Sequence, residues 1–537
     1  MTGGLLILIN SKYNNFLVTN PEMSFFKAVY RKYTNFSMES ITEVIDKKGL
    51  NTTENTTINY TIPRHADLLN GIYFNFTLPS IYSGINSSTN HNTYNFKWIK
   101  NIGTNLIKSA SILIDGHKID TLYSEWLNIY YELYLSNEEK LVFDRMTGNV
   151  KELYEPEYGE GQHGQYPHIV SGNQYDKYNA SGFNSIDISN ANINTTIPSI
   201  IGKKYRVKLP FWFNTKNNLA LPLLAIQYST VEIEITLAPI YDLYTVIDVN
   251  TSNSASSFGK RVKCNTTNDS TLGIQHFILD TSIVSTNGST RTLDNLDLDM
   301  SLELDYVFLD DSDRSRFGLY THEYLIEHHT YLDKNVSANS NASSTSNIFV
   351  DNLVKYVVFV PKRSDAKNIN DWNNYTAWQY ENIPPYSADY LELDSYYDMS
   401  NSREPFFTKN NSDHESDFKI DNLKQEIITS AKIQFNGNDI IRKYKDNIFF
   451  EYQQTSNYFK KNNKRGIYVY SFSLEPLEYQ PSGACNFSNI GDANLLLNYN
   501  IPTLTNANSL TFDINIHVVT YNILSIKSGV AGLKYAL

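Results

Sequence analysis

Ser109-Ala110-Ser111-Ile112-Leu113-Ile114-Asp115-Gly116-His117-Lys118-Ile119 returns later in the same chain as Ser430-Ala431-Lys432-Ile433-Gln434-Phe435-Asn436-Gly437-Asn438-Asp439-Ile440. Each copy is an apolar run, an Asp-Gly or Asn-Gly pair and a second run. Such pairs accept the two positive φ angles of a type I′ turn, so both copies predict a β-hairpin. The match continues at one offset, setting Tyr123 against Tyr444 and Tyr131 against Tyr452. A chance likeness of two hairpins has no reason to keep its offset afterwards; a duplication has. Weaker echoes flank it: the strand ending at Pro79 against the strand ending at Pro361, and Val231–Leu237 against Phe512–Val518. The reading is two similar β-domains in tandem, each longer than a minimal sandwich and therefore carrying loop insertions.

Around the repeat, further runs have strand length and strand patterning: Gly71–Pro79, Ser301–Leu309, Val354–Pro361, Ile467–Leu474 and Thr511–Val519. Most are bounded by Gly, Pro, Asn or Asp. Gly84–Thr93, Asn179–Thr196, Asn250–Ser270 and Ser337–Asn347 are rich in Asn, Ser and Thr and read as long surface loops. One helix is expected at Thr121–Leu135, with Leu122, Trp126 and Tyr130 at helical spacing and Ile129 and Leu133 one turn apart. That aromatic stripe reads as core packing rather than a cofactor box. Ser136 to Glu139 then has the capping-box pattern that starts another helix.

The totals agree. In 537 residues, 41% are apolar and 19% charged, which is globular, and 40 Tyr with 27 Phe favour β-structure. Lys+Arg is 45 against Asp+Glu 57, a net charge of −12, the opposite of what gripping phosphates requires. Direct nucleic-acid binding is not expected, and Lys27, Arg31 and Lys32 read as a solvated or inter-subunit patch. The two cysteines, Cys264 and Cys485, have no metal-ligand spacing; two reduced thiols is the simpler reading, with one long-range disulfide as the alternative. Leu5–Ile9 is far short of the roughly 20 residues of a membrane span. No secretory signal is read at the N-terminus, and Thr2 lacks the glycine that myristoylation needs. A soluble chain without a transmembrane segment is expected.

The chain opens with Gly3-Gly4-Leu5-Leu6, then Asn20-Pro21, Ser24-Phe25-Phe26-Lys27-Ala28-Val29-Tyr30-Arg31 and Tyr33-Thr34-Asn35-Phe36. This resembles the opening of major capsid proteins of nucleocytoplasmic large DNA viruses. Further blocks resemble the family in its order: Leu209-Pro210-Phe211-Trp212-Phe213, Leu219 to Tyr228, Leu304 to Asp310 with Arg314, Arg316 and Phe317, His322 to Glu327, and Pro481 to Ser488. The resemblance spans nearly the whole chain except the long loops. It implies an all-β fold of two tandem eight-stranded antiparallel jelly rolls with long loop insertions and a few short helices. It also implies homotrimeric, pseudo-hexameric capsomers that tile the icosahedral capsid of a large dsDNA virus. On this reading the protein is structural, with no enzyme activity and no cofactor. Its partners are its own copies, neighbouring capsomers, and minor and penton capsid proteins. It is a virion component assembled in the host cell, in cytoplasmic viral factories. The expected division is an N-terminal arm at 1–24, a first jelly roll at 25–242, a connector at 243–290 and a second jelly roll at 291–537. The arm is expected to run beneath the jelly rolls toward neighbours. Rival readings are a scaffold or vertex paralogue in fewer copies, and, in another class, a tandem β-sandwich that binds glycans through its loops.

Site residues are few. Candidate glycosylation acceptors in Asn-x-Ser/Thr context include Asn51, Asn55, Asn59, Asn86, Asn179, Asn194, Asn250, Asn265, Asn287, Asn335, Asn341, Asn374 and Asn410. A chain this rich in Asn, Ser and Thr generates such triplets by composition alone. Phe211, Trp212, Phe213 and Pro222 are candidates for inter-sheet core or trimer contact. Asp305, Asp310, Asp311 and Asp313 lack a calcium-loop pattern and read as solvated carboxylates paired with Arg314 or Arg316. His322, His328 and His329 with Glu323 and Glu327 fit no zinc spacing and read as structural. No metal site and no catalytic motif is assigned.

Overall fold

The computed structural model describes residues 20, 24–28, 30–45, 49–83, 94–156, 166–167, 170–171, 196–248, 261–262, 272–278, 293, 295–334, 343–364, 366–376, 426–441, 443–461, 464–499 and 511–535. The strands that carry the architecture are, in the first half, β1 Phe36–Val44, β2 Thr56–Thr61, β3 Leu68–Thr77, β4 Ile107–Ile114, β5 His117–Tyr123, β6 Lys204–Lys208, β7 Val231–Leu237 and β8 Met300–Leu309. The second half has β9 His322–Lys334, β10 Ser343–Asn347, β11 Leu353–Arg363, β12 Ile428–Phe435, β13 Asn438–Asp439, β14 Tyr468–Ser471, β15 Ala493–Tyr499 and β16 Phe512–Lys527. They form sheets β1-β8-β3-β6 and β2-β7-β4-β5, then β9-β16-β11-β14 and β10-β15-β12-β13. The second pair of sheets repeats the strand order of the first, and the pairings are antiparallel. This is the connectivity of two jelly rolls in tandem.

The repeated hairpins are the β4–β5 and β12–β13 turns. Asp115 and Gly116 have φ of 51° and 76°; Asn436 and Gly437 have 49° and 78°. Each hairpin leads into helix: α1 Ser124–Tyr134 in the first unit, and the π-helical turns Phe449–Gln453 and Thr455–Phe459 in the second. α2, Asn137–Thr147, follows α1 and starts on Ser136 with both arms of the capping box. Nothing lies within 4 Å of a Cβ built on Gly437, so Gly437→Ala tests φ alone. It is expected to cost about 1–2 kcal/mol, read as a lower denaturant midpoint; an unchanged midpoint would contradict the turn type.

Burial explains the strand patterns. β7 and β15 alternate strictly between buried and half-buried residues, as strands with one face on a core do. β11 is buried on both faces. Val357 and Phe359 pack into the core of their own jelly roll, whereas Tyr356, Val358 and Val360 join the core cluster of the first. β16 does the same, with Ile514, Ile516 and Val518 inward and Val519 toward the first unit. A sheet covered on both sides reads as a near-continuous apolar run.

Several expectations change against this pairing. Met300–Leu309, placed in the second unit by a division at residue 291, hydrogen-bonds between β1 and β3 of the first. Tyr244–Asp248, in the expected connector, pairs with Tyr94–Trp98 and Arg261–Val262, and Tyr244 and Val246 are buried in the first unit's core. The expected loop Asn250–Ser270 therefore holds a short strand. The Val231–Leu237 echo belongs to β15, because β7 and β15 each border their unit's repeated hairpin, whereas β16 takes the place of β8. Ser337–Asn347 ends in a strand, β10, whose all-polar sequence gave no signal but pairs fully with β15. The helix begins at Ser124, since Thr121–Tyr123 pair with Ser109–Ser111 of β4. The stretches Leu5–Ile9 and Gly84–Thr93 lie outside the described residues. Among the described residues no helix is long and apolar enough to cross a membrane.

Candidate functional site

The most densely functionalised region is the joint between the two jelly rolls. α1 projects from the first unit and lays its aromatic face on the sheet β9-β16-β11-β14. Trp126, 3% exposed, stacks on His329 with ring centroids 4.4 Å apart, and also meets the Tyr356 and His517 rings. Tyr134 lies 3.0 Å from the Tyr356 hydroxyl and donates to Glu327 at 3.2 Å, and Glu327 pairs with the fully buried Lys355. Glu125 accepts from Asn515 Nδ2 at 2.6 Å and contacts His517 Nε2 at 3.1 Å. The other nitrogen of His517 is 3.0 Å from His329 Nε2, so a polar chain runs Glu125–His517–His329 through the joint. A second seam seats Asn370 Nδ2 on the carbonyls of Tyr241 and Tyr244, and Trp372 Nε1 on that of Asp242. A third places the Tyr228 ring over Gly529, with the Tyr228 amide donating to its carbonyl at 3.0 Å.

Desolvation sets the charges here. Burial pushes the Asp120 carboxyl up to about 7, with backbone N–H groups of His329 and Thr121 opposing it. Burial also raises Glu125, but its hydrogen bond to His517, the charge of His517 and that of Lys362 outweigh this and hold it below its usual range. Burial lowers His328 to about 4, and burial with the neighbouring His517 holds His329 well below 6.5.

The residues singled out from sequence fall in separate places. Phe211, Trp212 and Phe213 are buried in the large core of the single chain, and Pro222 is buried as well. Asp310 caps helix α3, Asp311–Leu319, accepting from Ser312 N, and Asp313 lies 3.9 Å from Arg316. Arg314 turns mainly to Asp67, in two bonds of 3.1 and 3.0 Å, and Asp305 accepts from Ser40. His322, Glu323, Glu327, His328 and His329 all lie on β9. Among the described residues no cluster of three or more His, Cys, Asp or Glu is set to hold a metal. Asn55 and Asn59 are exposed, and Asn51 is half-buried, accepting from the Thr53 and Glu54 amides. Asn374 is 3% exposed and bonded to Asp371 and Thr376, which leaves no room for a glycan. Asn86, Asn179, Asn194, Asn250, Asn265, Asn287, Asn335, Asn341 and Asn410, with Cys264, lie outside the described residues; Cys485 is a free thiol.

The sequence did not single out Glu125, Asn515 or His517. For the last two a signal was present: Asp513, Asn515 and His517 alternate with apolar residues along Phe512–Val518 and so share one strand face. A second feature is a set of exposed aromatic side chains before β1. Phe25, Phe26, Tyr30 and Tyr33 are each at least 84% exposed, with Lys27, Arg31 and Lys32 among them, and β1 is an edge strand.

Family models match both halves. One described as the major capsid protein N-terminus matches residues 24–310, and one described as the large eukaryotic DNA virus major capsid protein matches 313–532. The chain is similar to the major capsid protein of Paramecium bursaria Chlorella virus 1, at 27% identity over all of both chains. It is also similar to that of Phaeocystis pouchetii virus, at 26% over all of both chains. Among solved structures, a chain of the quasi-atomic PBCV-1 virus capsid superposes with a TM-score of 0.61 at 24% identity, covering 96% of this chain and 100% of that one. The Faustovirus major capsid protein superposes with 0.54 at 11% identity, covering 94% and 93%.

Proposed function

The chain belongs to the major capsid proteins of large eukaryotic DNA viruses, and from that premise we propose that it builds the shell as a homotrimer, three double jelly rolls making one pseudo-hexameric capsomer. The observation that carries this is the repeated strand order: one chain presents two near-equivalent jelly rolls, so three chains present six. The protein forms the virus capsid, and its action is structural. The exposed aromatic side chains before β1 support lateral contact, because large apolar groups left in solvent mark association surfaces. Neighbouring capsomers and minor and penton capsid proteins are its proposed partners, and cytoplasmic viral factories its proposed place of assembly. We place the boundary between the jelly rolls at α3 rather than at residue 291, in line with the strand pairing.

Light scattering of the purified protein is expected to give three times the 61.6 kDa chain mass, with hexagonal outlines by negative stain. A monomer that stays monomeric on concentration would sink the trimer and turn attention to glycan binding.

A further inference from the structure

The joint encloses a cavity of about 330 Å³, within the roughly 300–1,000 Å³ of small-molecule sites. Tyr130 and Tyr134 of α1 and residues between 208 and 219 border it from the first jelly roll. Leu325, Leu477 and Tyr479 border it from the second. The Tyr130 and Tyr134 rings are stacked with centroids 4.1 Å apart, and these two tyrosines and two leucines are only half-buried. Apolar surface from both units is therefore left open here.

Two donors on this wall have no partner. Lys208 Nζ makes no hydrogen bond and no ion pair, and the Tyr130 hydroxyl makes no hydrogen bond. Neither atom is sealed from solvent, so both stay open to a ligand. Protein nonetheless surrounds them: burial lowers the Lys208 ammonium, with Asp305 opposing, and burial with the Glu327 charge raises the Tyr130 hydroxyl. The carboxylates of the wall are already engaged. Glu327 pairs with Lys355 and accepts from Tyr134, and Asp120 accepts from the backbone N–H groups of Thr121 and His329. Glu139 closes the capping box on Ser136, and the exposed Glu478 offsets the charge of Lys216. What the cavity lacks is an acceptor for Lys208 and an apolar group against its walls.

We propose that this cavity binds a monocarboxylate with an apolar body, its carboxylate paired with Lys208 and its body lying against Tyr134, Leu325 and Leu477. A small bare anion would leave the apolar walls uncovered. An apolar cation would meet Lys208 with no unengaged carboxylate beside it, and like charges brought together out of water repel strongly. Lys208 and Tyr134 belong to the first jelly roll and Leu325 and Leu477 to the second, so the ligand adds to the contact between them.

Calorimetric titration of the full chain at neutral pH tests this with octanoate, octanol, octylammonium and acetate. One octanoate per chain is expected, with Kd about 1 mM or tighter. Octanol, which lacks the charge, and octylammonium, which reverses it, are each expected to bind about tenfold or more weakly. Acetate, which lacks the apolar body, should show no saturable binding. Octanoate should also raise the thermal midpoint of the native chain. Lys208→Met removes an ammonium that has no partner, so the variant should keep the native circular dichroism. Its octanoate affinity should fall to that of octanol while its octanol affinity stays unchanged, a separation that a general loss of structure would not produce. Absence of saturable octanoate binding overturns the proposal, as does equal or tighter binding of octanol or octylammonium. Undiminished octanoate binding by K208M overturns it too.

Discussion

Trp126→Ala is expected to destabilise the protein by about 3–5 kcal/mol, the usual cost of truncating a buried large aromatic side chain. Trp126 is the centre of the joint, stacked on His329 and in ring contact with Tyr130, Tyr356 and His517. The loss should therefore appear as uncoupling as well as instability. In denaturant the native chain is expected to unfold both jelly rolls together, and the variant to show separated transitions with faster proteolysis at α3. A loss below about 1 kcal/mol, with a single transition retained, would show that the joint is held by the other two seams.

Asp120→Asn is expected to stabilise the protein by as much as about 4 kcal/mol at pH 8 and to change little near pH 4. The folded carboxyl titrates at about 7 against an ordinary 3.8, chiefly through burial. Its contribution to stability is thus fully present below about pH 4 and is lost as pH rises through 7. The neighbouring His328 runs the other way: burial lowers it from 6.5 to about 4, so its contribution is present above 6.5 and lost as pH falls toward 4. His329 shares that direction. In the native chain the two trends oppose each other between pH 4 and 7. Asparagine keeps an acceptor for the neighbouring backbone amides and removes the carboxyl's titration, so the variant's stability should rise steadily with pH across that range. Denaturant midpoints at a series of pH values measure this directly, and a stability difference that is the same at every pH would refute the buried charge.

Strand positions were legible where the chain alternates or runs apolar: Val231–Leu237 was read to the residue, and Gly71–Pro79 and Val354–Pro361 were each read to within a few residues of a central strand. Polar or exposed edge strands were not. β10 reads Ser-Ser-Thr-Ser-Asn, and β1 has little buried surface, so neither carries the alternation that a half-buried strand shows. Their place is fixed by hydrogen bonds to a neighbour distant in sequence, which leave no mark on local composition. The candidate site divides in the same way. Asn374 looked like any other Asn-x-Thr triplet, and only its burial removes it; the Trp126 stripe was legible as core, but not as the core between two units.

By itself the sequence determined that this is a duplicated β protein with a recurring Asp-Gly or Asn-Gly hairpin followed by a helix, because turn chemistry and side-chain periodicity are local properties. It also carried the family resemblance through blocks such as Leu209 to Phe213 and Pro481 to Ser488. Tertiary structure alone decided that Met300–Leu309 closes the first jelly roll, that it and not β7 is the counterpart of β16, and that Glu125, His329 and His517 meet. Those facts depend on which strand lies beside which across long stretches of chain, 188 residues for His329 with His517 and 392 for Glu125 with His517. Pairing at that range is chosen by burial of whole sheet faces, and no single stretch of sequence contains both sides of the choice.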